Sequence, residues 1–415
     1  MSSRIIAAWR RYWFAPASLT DLGVSRIALV AIILHLNGTS RYLRVAAVDP
    51  ALWSPVALLQ ILRIGQPSLA AIQWMTWASN LLLVAAGLGL AARPALIAAF
   101  PLLLVLEAMG NSVGKVTHAV IPLLYAVLFF ALAPSDRGFS LEAMWRRSRT
   151  AGRAGLVPPE PSRMSDMARW PLDLLFMEIA AFYFFAGVSK LRDAGPAWMD
   201  GYTLQYHLLF KGTAPGAWLG GQLQLCAFLS VLVIAFELGA PLGMVRRLRP
   251  AVLAGGLFFH LGTACFLGIT FWPVVALYAL FVPWSRLGRA IARSTGLARR
   301  RLDVYYDGGC ASCRRLVSLV GDLDLAGAAR FVDIAAGDSN GPRGLTACTS
   351  IHVADASGMT AAGFDAFRRL AWVLPAGWPT IPLLYVPGLR WLGHQLYTAV
   401  SNRRGTPVST PPGVP

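Results

Sequence analysis

The sequence has few charged residues and few cysteines for its length. Only 14% of its 415 residues are charged, and only five are cysteine. A water-soluble domain carries about 25% charged residues, so this chain has too few to cover a soluble surface. Five cysteines are also too few for a secreted fold held together by disulfide bonds. Intrinsic disorder is excluded as well, because 56% of the residues are hydrophobic.

Long apolar segments are frequent instead, and the mean hydropathy is +0.55. A membrane-spanning helix needs about 20 mostly apolar residues. We therefore expect a polytopic all-α membrane bundle with about eight spans, at residues 22–36, 68–91, 94–109, 117–133, 171–188, 223–241, 251–270 and 272–285. The apolar segment 51–64 contains Pro55 and Arg63, which favours an interfacial helix. Ser25 and Arg26 interrupt the first apolar run, so we expect no cleavable signal peptide.

Basic residues are concentrated in the first three quarters of the chain. Residues 1–302 contain 28 Lys and Arg against 12 Asp and Glu, whereas residues 303–415 contain 9 against 8. The composition changes at the run Arg299–Arg301, where we expect a domain boundary. The predicted parts are a transmembrane domain over 1–298, a second domain over 302–404 and a disordered, proline-rich tail over 405–415. The arginines lie between apolar runs, so we expect no nucleic-acid partner.

The loop charges predict the orientation in the membrane. With the N-terminus inside, the inner loops carry 20 Lys and Arg, and the outer loops carry 7. This bias is what the positive-inside rule requires. It predicts a multi-pass protein of an inner (plasma) membrane, with residues 134–170 and everything after 286 in the cytoplasm. Residues 189–222 would then lie outside.

Ionisable residues within predicted spans are costly and usually face a bundle interior or a wet cavity. Six of these residues matter for the site: Glu107, His118, Asp173, Glu178, Glu237 and His260. On the predicted topology, an outward-facing polar pocket is formed by Glu107, Lys115, His118, Lys190, Tyr202, Tyr206 and His207. Each residue also has a simpler interpretation. The lysines can extend to the headgroups, His118 can anchor the interface, and the deeper residues can form structural pairs.

The segment YFFAGVSKLRDAGPAWMDGYTLQY (183–206) resembles the corresponding part of vitamin K-dependent gamma-carboxylase, a member of the horizontally transferred transmembrane (HTTM) domain group. The resemblance covers roughly residues 14–285. It implies that Lys190 is the catalytic lysine, with His118 and His260 matching family histidines. In that family a neutral lysine deprotonates a reduced quinone. The resemblance therefore implies a quinone or another lipophilic substrate near Lys190 and His118, although Ser189 stands where the carboxylase has a second lysine.

The last hundred residues predict a small α/β domain. LDVYYD (302–307), RFVDI (330–334) and TSIHVAD (349–355) have the character of strands, and a short strand follows the turn at 357–358. Helices are predicted from Cys310 to about Gly321, from about Phe364 to Leu374 and from about Leu389 to Arg404. The order of these elements is typical of an α/β fold.

Cys310-Ala311-Ser312-Cys313 lies where the first strand turns into the first helix of this domain. This spacing brings both thiols onto the first helical turn, and the helix N-terminus with Arg314 and Arg315 favours the thiolate of Cys310. A redox pair is the leading interpretation. A zinc site with Cys348, His352 and His394 and a pair of inert buried cysteines are the alternatives. We expect no metal.

YDGGCASC also resembles the DGxCxxC signature of the DCC thiol-disulfide oxidoreductase family, which looks thioredoxin-like. The resemblance covers about residues 303–404. It implies that Cys310 attacks a disulfide of a partner protein, that Cys313 resolves the mixed disulfide, and that Asp307, the acidic residue of the signature, binds the substrate. The resulting hypothesis is a protein-disulfide reductase-like enzyme in the membrane. The rival hypotheses are a carboxylase-like enzyme regulated by the CxxC and a non-enzymatic transporter or immunity-type protein.

Overall fold

The computed structural model describes residues 2–38, 41–114, 116, 118–154, 163–294, 301–334, 351–355, 358 and 360–402. The first 294 residues are mainly helical. Their helices are α1 (Ser2–Trp13), α2 (Leu19–Gly38), α3 (Ala57–Ile61), α4 (Leu69–Leu88), α5 (Ala92–Gly110), α6 (Ile121–Leu132), α7 (Leu141–Ala154), α8 (Trp170–Ala194), α9 (Tyr202–Lys211), α10 (Ala214–Gly220), α11 (Leu223–Gly239), α12 (Arg249–Leu267), α13 (Trp272–Leu277) and α14 (Trp284–Ser294). Two strands of two residues each, β1 (Ala17–Ser18) and β2 (Met164–Ser165), accompany them.

The described residues contain six helical segments long and apolar enough to cross a membrane, built on α2, α4, α5, α8, α11 and α12. A multi-pass membrane protein is therefore confirmed, but the expected count of about eight is reduced. The predicted span 117–133 is a shorter apolar helix over His118–Leu132. The predicted span 272–285 is part of a broken pair in which Trp272–Phe281 and Trp284–Ser294 are bent by 81°. Counting that pair as one span gives seven.

Two charged side chains inside the helical unit, Arg26 and Asp173, are buried and bound to partners. Arg26, which interrupts the first apolar run, is fully buried and donates to the backbone carbonyls of Ser135 and Gly87. Asp173 is 1% exposed and accepts hydrogen bonds from Arg246 and Arg249, each with a donor–acceptor distance of 2.7 Å. Moving a charge out of water costs desolvation free energy. Without such partners, that cost exceeds the free energy that burial contributes to folding.

The C-terminal part is a mixed α/β domain, as expected. Its strands are β3 (Leu302–Tyr306), β4 (Ala329–Asp333), β5 (His352–Ala354) and β6 (Thr360–Ala362), in the sheet order β4-β3-β5-β6. β3 runs parallel to β4 and antiparallel to β5, and β5 runs antiparallel to β6. The helices are α15 (Ala311–Leu323), α16 (Phe364–Val373), α17 (Ile381–Leu384) and α18 (Leu389–Asn402). Val304, Val320, Val353 and Leu370 meet in the core between sheet and helices.

The chain divides into two compact units whose limits do not follow the sequence in order. One unit contains Met1–Ala17, Ser25–Ser135 and Met164–Val282. The other contains Ser18–Val24, Asp136–Arg163 and Pro283–Pro415. The helix α7, which lies between two membrane helices in the sequence, therefore belongs to the same compact unit as the α/β domain. The predicted tail, 405–415, lies outside the described residues.

Candidate functional site

The two cysteines of the CxxC motif lie at the start of α15, directly after β3 and its turn. Neither sulfur is in a disulfide bond, so the structure represents the dithiol form. Cys310 is the N-cap of α15, and its Sγ accepts a hydrogen bond from the backbone N–H of Cys313 over 3.4 Å. Cys310 is partly exposed, whereas Cys313 is 8% exposed. A disulfide of a partner protein can therefore reach Cys310 before it can reach Cys313.

The pKa of the Cys310 thiol lies below its ordinary value. Burial alone raises this pKa, and the nearby carboxylate of Asp307 raises it further. Hydrogen bonds from the Cys313 thiol and from the backbone N–H groups of Cys313 and Ser312 lower it by more. A helix N-terminus presents unsatisfied N–H groups that stabilise an anion. The geometry therefore favours the thiolate, which is the nucleophilic form of cysteine.

The turn before Cys310 is held by two carboxylates. Asp307 accepts a hydrogen bond from the Gly309 N–H, and Asp333 at the end of β4 accepts one from the Gly308 N–H, each over 2.8 Å. A Cβ atom at position 308 would lie only 1.8 Å from Asp333 Oδ2, so any other residue there would displace this carboxylate from the turn. Asp307, which we predicted to bind substrate, has a direct role in shaping this turn. The turn sets the position of the Cys310 sulfur.

Arg314 follows the motif and connects α15, which we call the redox helix, to α7. Its guanidinium donates to the Gly308 carbonyl over 2.5 Å and to the carbonyls of Ala151 and Gly152 over 2.9 and 2.7 Å. The last carbonyls of a helix have no partner within the helix, and a cation there also complements the helix dipole. We predicted Arg314 only as a source of positive charge, so its contact with the end of α7 is new.

A second link between α7 and α15 is the ion pair of Arg147 and Asp322. The atoms Nε and Oδ2 lie 2.9 Å apart, and both side chains are largely buried. Burial raises the pKa of Asp322, and Arg147 counteracts only part of that rise. Together with Arg314, this pair holds the redox helix against the segment that connects two membrane helices in the sequence.

Among the residues that the structure describes, no group of three or more His, Cys, Asp or Glu side chains could hold a metal ion. Cys348, one of the zinc ligands considered above, lies outside those residues. The other two candidate ligands have different surroundings. His394 lies 3.3 Å from Asp365, whereas His352 is partly buried, which lowers its pKa.

Lys190 forms an ion pair inside the membrane unit. Its Nζ lies 2.7 and 2.8 Å from the two carboxylate oxygens of Glu237 on α11. Glu237 is 3% exposed, and Lys190 also lies 5.5 Å from the centre of the Trp198 ring. Gly187, one turn before Lys190, has no side chain, which lets α8 approach Glu237 closely. Both ionisable residues appeared in the sequence analysis, but not as partners of each other.

His260 takes part in a chain of hydrogen bonds on the same side of α8. The Tyr183 hydroxyl lies 2.6 Å from His260 Nε2 and 2.5 Å from the Tyr278 hydroxyl. Tyr183, Gly187 and Lys190 are spaced i, i+4 and i+7, so they share one face of α8. The His260 Nδ1 atom is buried and has no hydrogen-bond partner among the described residues. This face of α8 therefore contributes Lys190 to an ion pair and contacts His260 of α12, whose Nδ1 is unpaired.

The remaining residues of the predicted outer pocket have separate surroundings. Glu107 is buried and accepts hydrogen bonds from Arg41 and Tyr42. The His118 ring lies 6.3 Å from that of Phe182, and Tyr202 is 60% exposed at the start of α9. Lys115 lies outside the described residues. Arg41 and Tyr42 were not considered from the sequence, and nothing in their spacing pointed to Glu107.

Comparison with family models places these two sites in known domains. The HTTM domain model matches residues 14–285, about two thirds of the chain. The chain belongs to the HTTM domain family. The model of the DCC1-like thiol-disulfide oxidoreductases matches residues 304–407, which include the CxxC helix. No curated protein and no solved structure matches the chain.

This HTTM protein therefore combines its family's membrane domain with a thiol-disulfide oxidoreductase-like domain, in the order expected from the sequence. Both resemblances that the motifs indicated are confirmed at the level of the family. The Lys190–Glu237 pair lies within the HTTM match, and Cys310 and Cys313 lie within the DCC1-like match.

Proposed function

We propose that this membrane protein is a thiol-disulfide oxidoreductase that acts through Cys310 and Cys313. The observation that carries the proposal is the position of Cys310 Sγ at the N-terminus of α15, where it accepts the Cys313 N–H. Such a position favours the thiolate and leaves the sulfur partly accessible. The alternative of inert cysteines is disfavoured, because buried structural cysteines lack this stabilisation of the anion.

The reaction that fits this geometry is the reduction of a protein disulfide. The Cys310 thiolate attacks one partner sulfur, so a mixed disulfide forms and one partner thiolate leaves. Cys313 then loses its proton and attacks the Cys310 sulfur, which breaks the mixed disulfide and releases the second partner thiolate. Two electrons pass from the dithiol to the partner, and the protein retains a Cys310–Cys313 disulfide. The greater burial of Cys313 suits the second step.

We place this domain on the cytoplasmic side of an inner membrane, as the loop charges favour. A reducing cytoplasm would return the disulfide to the dithiol through its thiol pool. The bias of positive charge towards the inner loops supports this orientation on the eight-span topology, in which His118–Leu132 and the bent pair Trp272–Phe281 and Trp284–Ser294 each cross the membrane once.

Thiol labelling tests the redox pair and its side of the membrane together. In a background with Cys226, Cys265 and Cys348 changed to alanine, we expect a membrane-impermeant maleimide to label Cys310 only after spheroplasts are lysed. Brief oxidation should protect Cys310 and Cys313 together, because both sulfurs enter one disulfide. The matched control C313S has no partner for Cys310 and should keep its label after oxidation. Labelling of intact spheroplasts would contradict the orientation, and unprotected thiols would contradict the redox pair.

A second function concerns the membrane unit, where we propose a site for a quinone or another lipophilic substrate next to α8. The support for this site is the buried, unpaired His260 Nδ1 and the Lys190–Glu237 pair, which contact one face of α8 about two turns apart. If Tyr183 donates its hydrogen bond to Nε2, the histidine proton resides on Nδ1 and is available to a quinone oxygen. His260 and Lys190 would hold such a group, which supplies redox chemistry when bound. For Lys190 to act as a base, its proton must first pass to Glu237, 2.7 Å away.

Quinone binding by the purified protein tests this site. We expect ubiquinone-1 to bind the wild-type chain, and H260F to weaken binding about tenfold, because it removes one hydrogen bond of about 1.4 kcal/mol. Isothermal titration in detergent measures the affinity. The control Y125F alters a partly exposed tyrosine on α6 and should leave the affinity unchanged. Absence of binding by the wild-type chain, or an equal affinity of H260F, would reject the quinone site.

A further inference from the structure

The segment that closes the α/β domain exposes large apolar side chains to solvent. Trp391 is 67% exposed and Leu396 is 59% exposed on α18, and Leu392 lies beside them. On the preceding α17, which packs against α18, Leu383 is 64% exposed. We call these four residues, with Tyr385 and Val386 between the helices, the outer face. Single exposed apolar residues are ordinary on protein surfaces, whereas a contiguous patch of this kind marks a binding surface.

Contacts between α18 and the rest of the domain fix this orientation. Arg390 donates to Asp365 on α16 over 2.9 Å, and His394 lies 3.3 Å from the same carboxylate. The Tyr397 hydroxyl accepts the backbone N–H of Ile351 over 3.1 Å. Gly393 packs so tightly on the Phe364 ring that a Cβ atom there would lie 2.4 Å from it. The helix therefore cannot rotate its apolar residues into the domain without breaking these contacts.

The charge of the same segment indicates what covers the outer face. Residues 364–404 contain five arginines and only one acidic residue, Asp365. Tryptophan, tyrosine and leucine flanked by arginine are the composition of helices that lie in the headgroup region of an anionic membrane. Protein interfaces are also rich in aromatic residues and arginine, so it is the net positive charge that favours an anionic lipid surface.

The membrane domain on the same chain adds a second argument. A surface tethered to a bilayer meets the lipid at a high effective concentration, whereas a free protein partner must be captured from solution. An apolar face that would bind membranes only weakly as an isolated domain is sufficient under these conditions. We propose that the outer face of α17 and α18 lies in the headgroup region of the bilayer and binds anionic phospholipid. This surface is additional to the redox and quinone sites.

Fluorescence quenching on the full-length chain tests the proposal. The chain, with its five cysteines changed to alanine, carries an NBD fluorophore at L396C and is reconstituted in nanodiscs containing phosphatidylglycerol. We expect blue-shifted emission and strong quenching by lipids with a doxyl group near the headgroup. The control R330C labels an exposed position of β4. Its quenching should be several-fold weaker.

Two further variants separate the possible outcomes. The double change W391S/L392S, with the label still at 396, should reduce the quenching to near the control level. A label at L383C on α17 repeats the measurement where the change at 396 prevents folding. Emission like that of the control would overturn the proposal, because the face would then be in water. Blue-shifted emission without doxyl quenching would also overturn it, because protein, such as a second copy of the chain, would then cover the face.

Discussion

Replacing Cys310 with serine is expected to abolish disulfide reduction, lowering the rate by roughly 10³-fold or more. A serine hydroxyl at this position is a poor nucleophile, because the α15 N-terminus cannot ionise it at neutral pH. C313S should instead form the mixed disulfide and stop there, because the second sulfur that releases the partner is missing. Reduction of insulin disulfides by the purified, dithiothreitol-reduced chain measures the rate, and non-reducing electrophoresis detects the trapped complex.

The matched control for this prediction is C265S, because Cys265 is an exposed free thiol outside the α/β domain. It should retain the wild-type rate of insulin reduction. A C310S chain that reduces insulin at the wild-type rate would contradict the assignment of the attacking cysteine. So would a trapped complex in C310S but none in C313S, because the order of the two sulfurs would then be reversed.

The lowered pKa of Cys310 determines how its reactivity depends on pH. Because the pKa lies below the ordinary value of a cysteine thiol, a larger fraction is thiolate at neutral pH than in an unfolded chain. Alkylation of Cys310 should therefore reach its plateau at a lower pH than alkylation of the same cysteine in urea. The same shift stabilises the folded dithiol form once the pH exceeds the folded pKa, and this contribution is lost as the pH falls through it.

Replacing Lys190 with alanine is expected to destabilise the membrane unit by about 3 kcal/mol of unfolding free energy. Glu237 is 3% exposed, so the change leaves a buried carboxylate without its cation. E237A should cost less, because the Lys190 side chain is 28% exposed and its ammonium can reach polar surroundings. Thermal unfolding in detergent, followed by circular dichroism, measures both variants.

The neighbouring pair Arg192–Asp193 provides the matched control on the same helix. Its side chains are 75% and 59% exposed, so R192A should leave the unfolding free energy close to that of the wild-type chain. The double variant K190M/E237L should be more stable than K190A, because neither charge is then buried alone. Equal losses for K190A and R192A would mean that the Lys190–Glu237 pair does not hold α8 and α11 together.

The pairing of the buried carboxylates also bears on the transporter hypothesis. That hypothesis needs a continuous polar path through Glu107, Glu178 and Glu237. Instead, Glu107 is bound by Arg41 and Tyr42, whereas Glu237 is bound by Lys190. Within the described part of the chain, Glu107 and Glu237 belong to separate helix contacts, and Glu178 Oε2 is buried without a hydrogen-bond partner. This arrangement favours structural or catalytic pairs over transport.

Local sequence determined the parts of this protein that depend on composition and on short-range order. The length of the apolar segments identified the membrane helices, because a segment in lipid must form its backbone hydrogen bonds internally, as a helix does. Apolar length did not predict the bend of 81° in the segment that begins at 272, because a bend leaves the run of apolar residues unchanged. The strand, the glycine turn and the CxxC helix were also predictable, because the two cysteines share one helical turn. Their redox character follows from that local geometry.

Only the tertiary structure decided which distant residues meet. Lys190 and Glu237 are 47 positions apart, and either one alone is compatible with a side chain that extends to the headgroups. Arg314 reaches the end of α7 across 162 positions, which brings a connection between membrane helices against the redox helix. The outward apolar face of α18 depends on contacts with Asp365 and Phe364. Such pairings depend on how helices pack, and packing is set by the whole chain rather than by any local pattern.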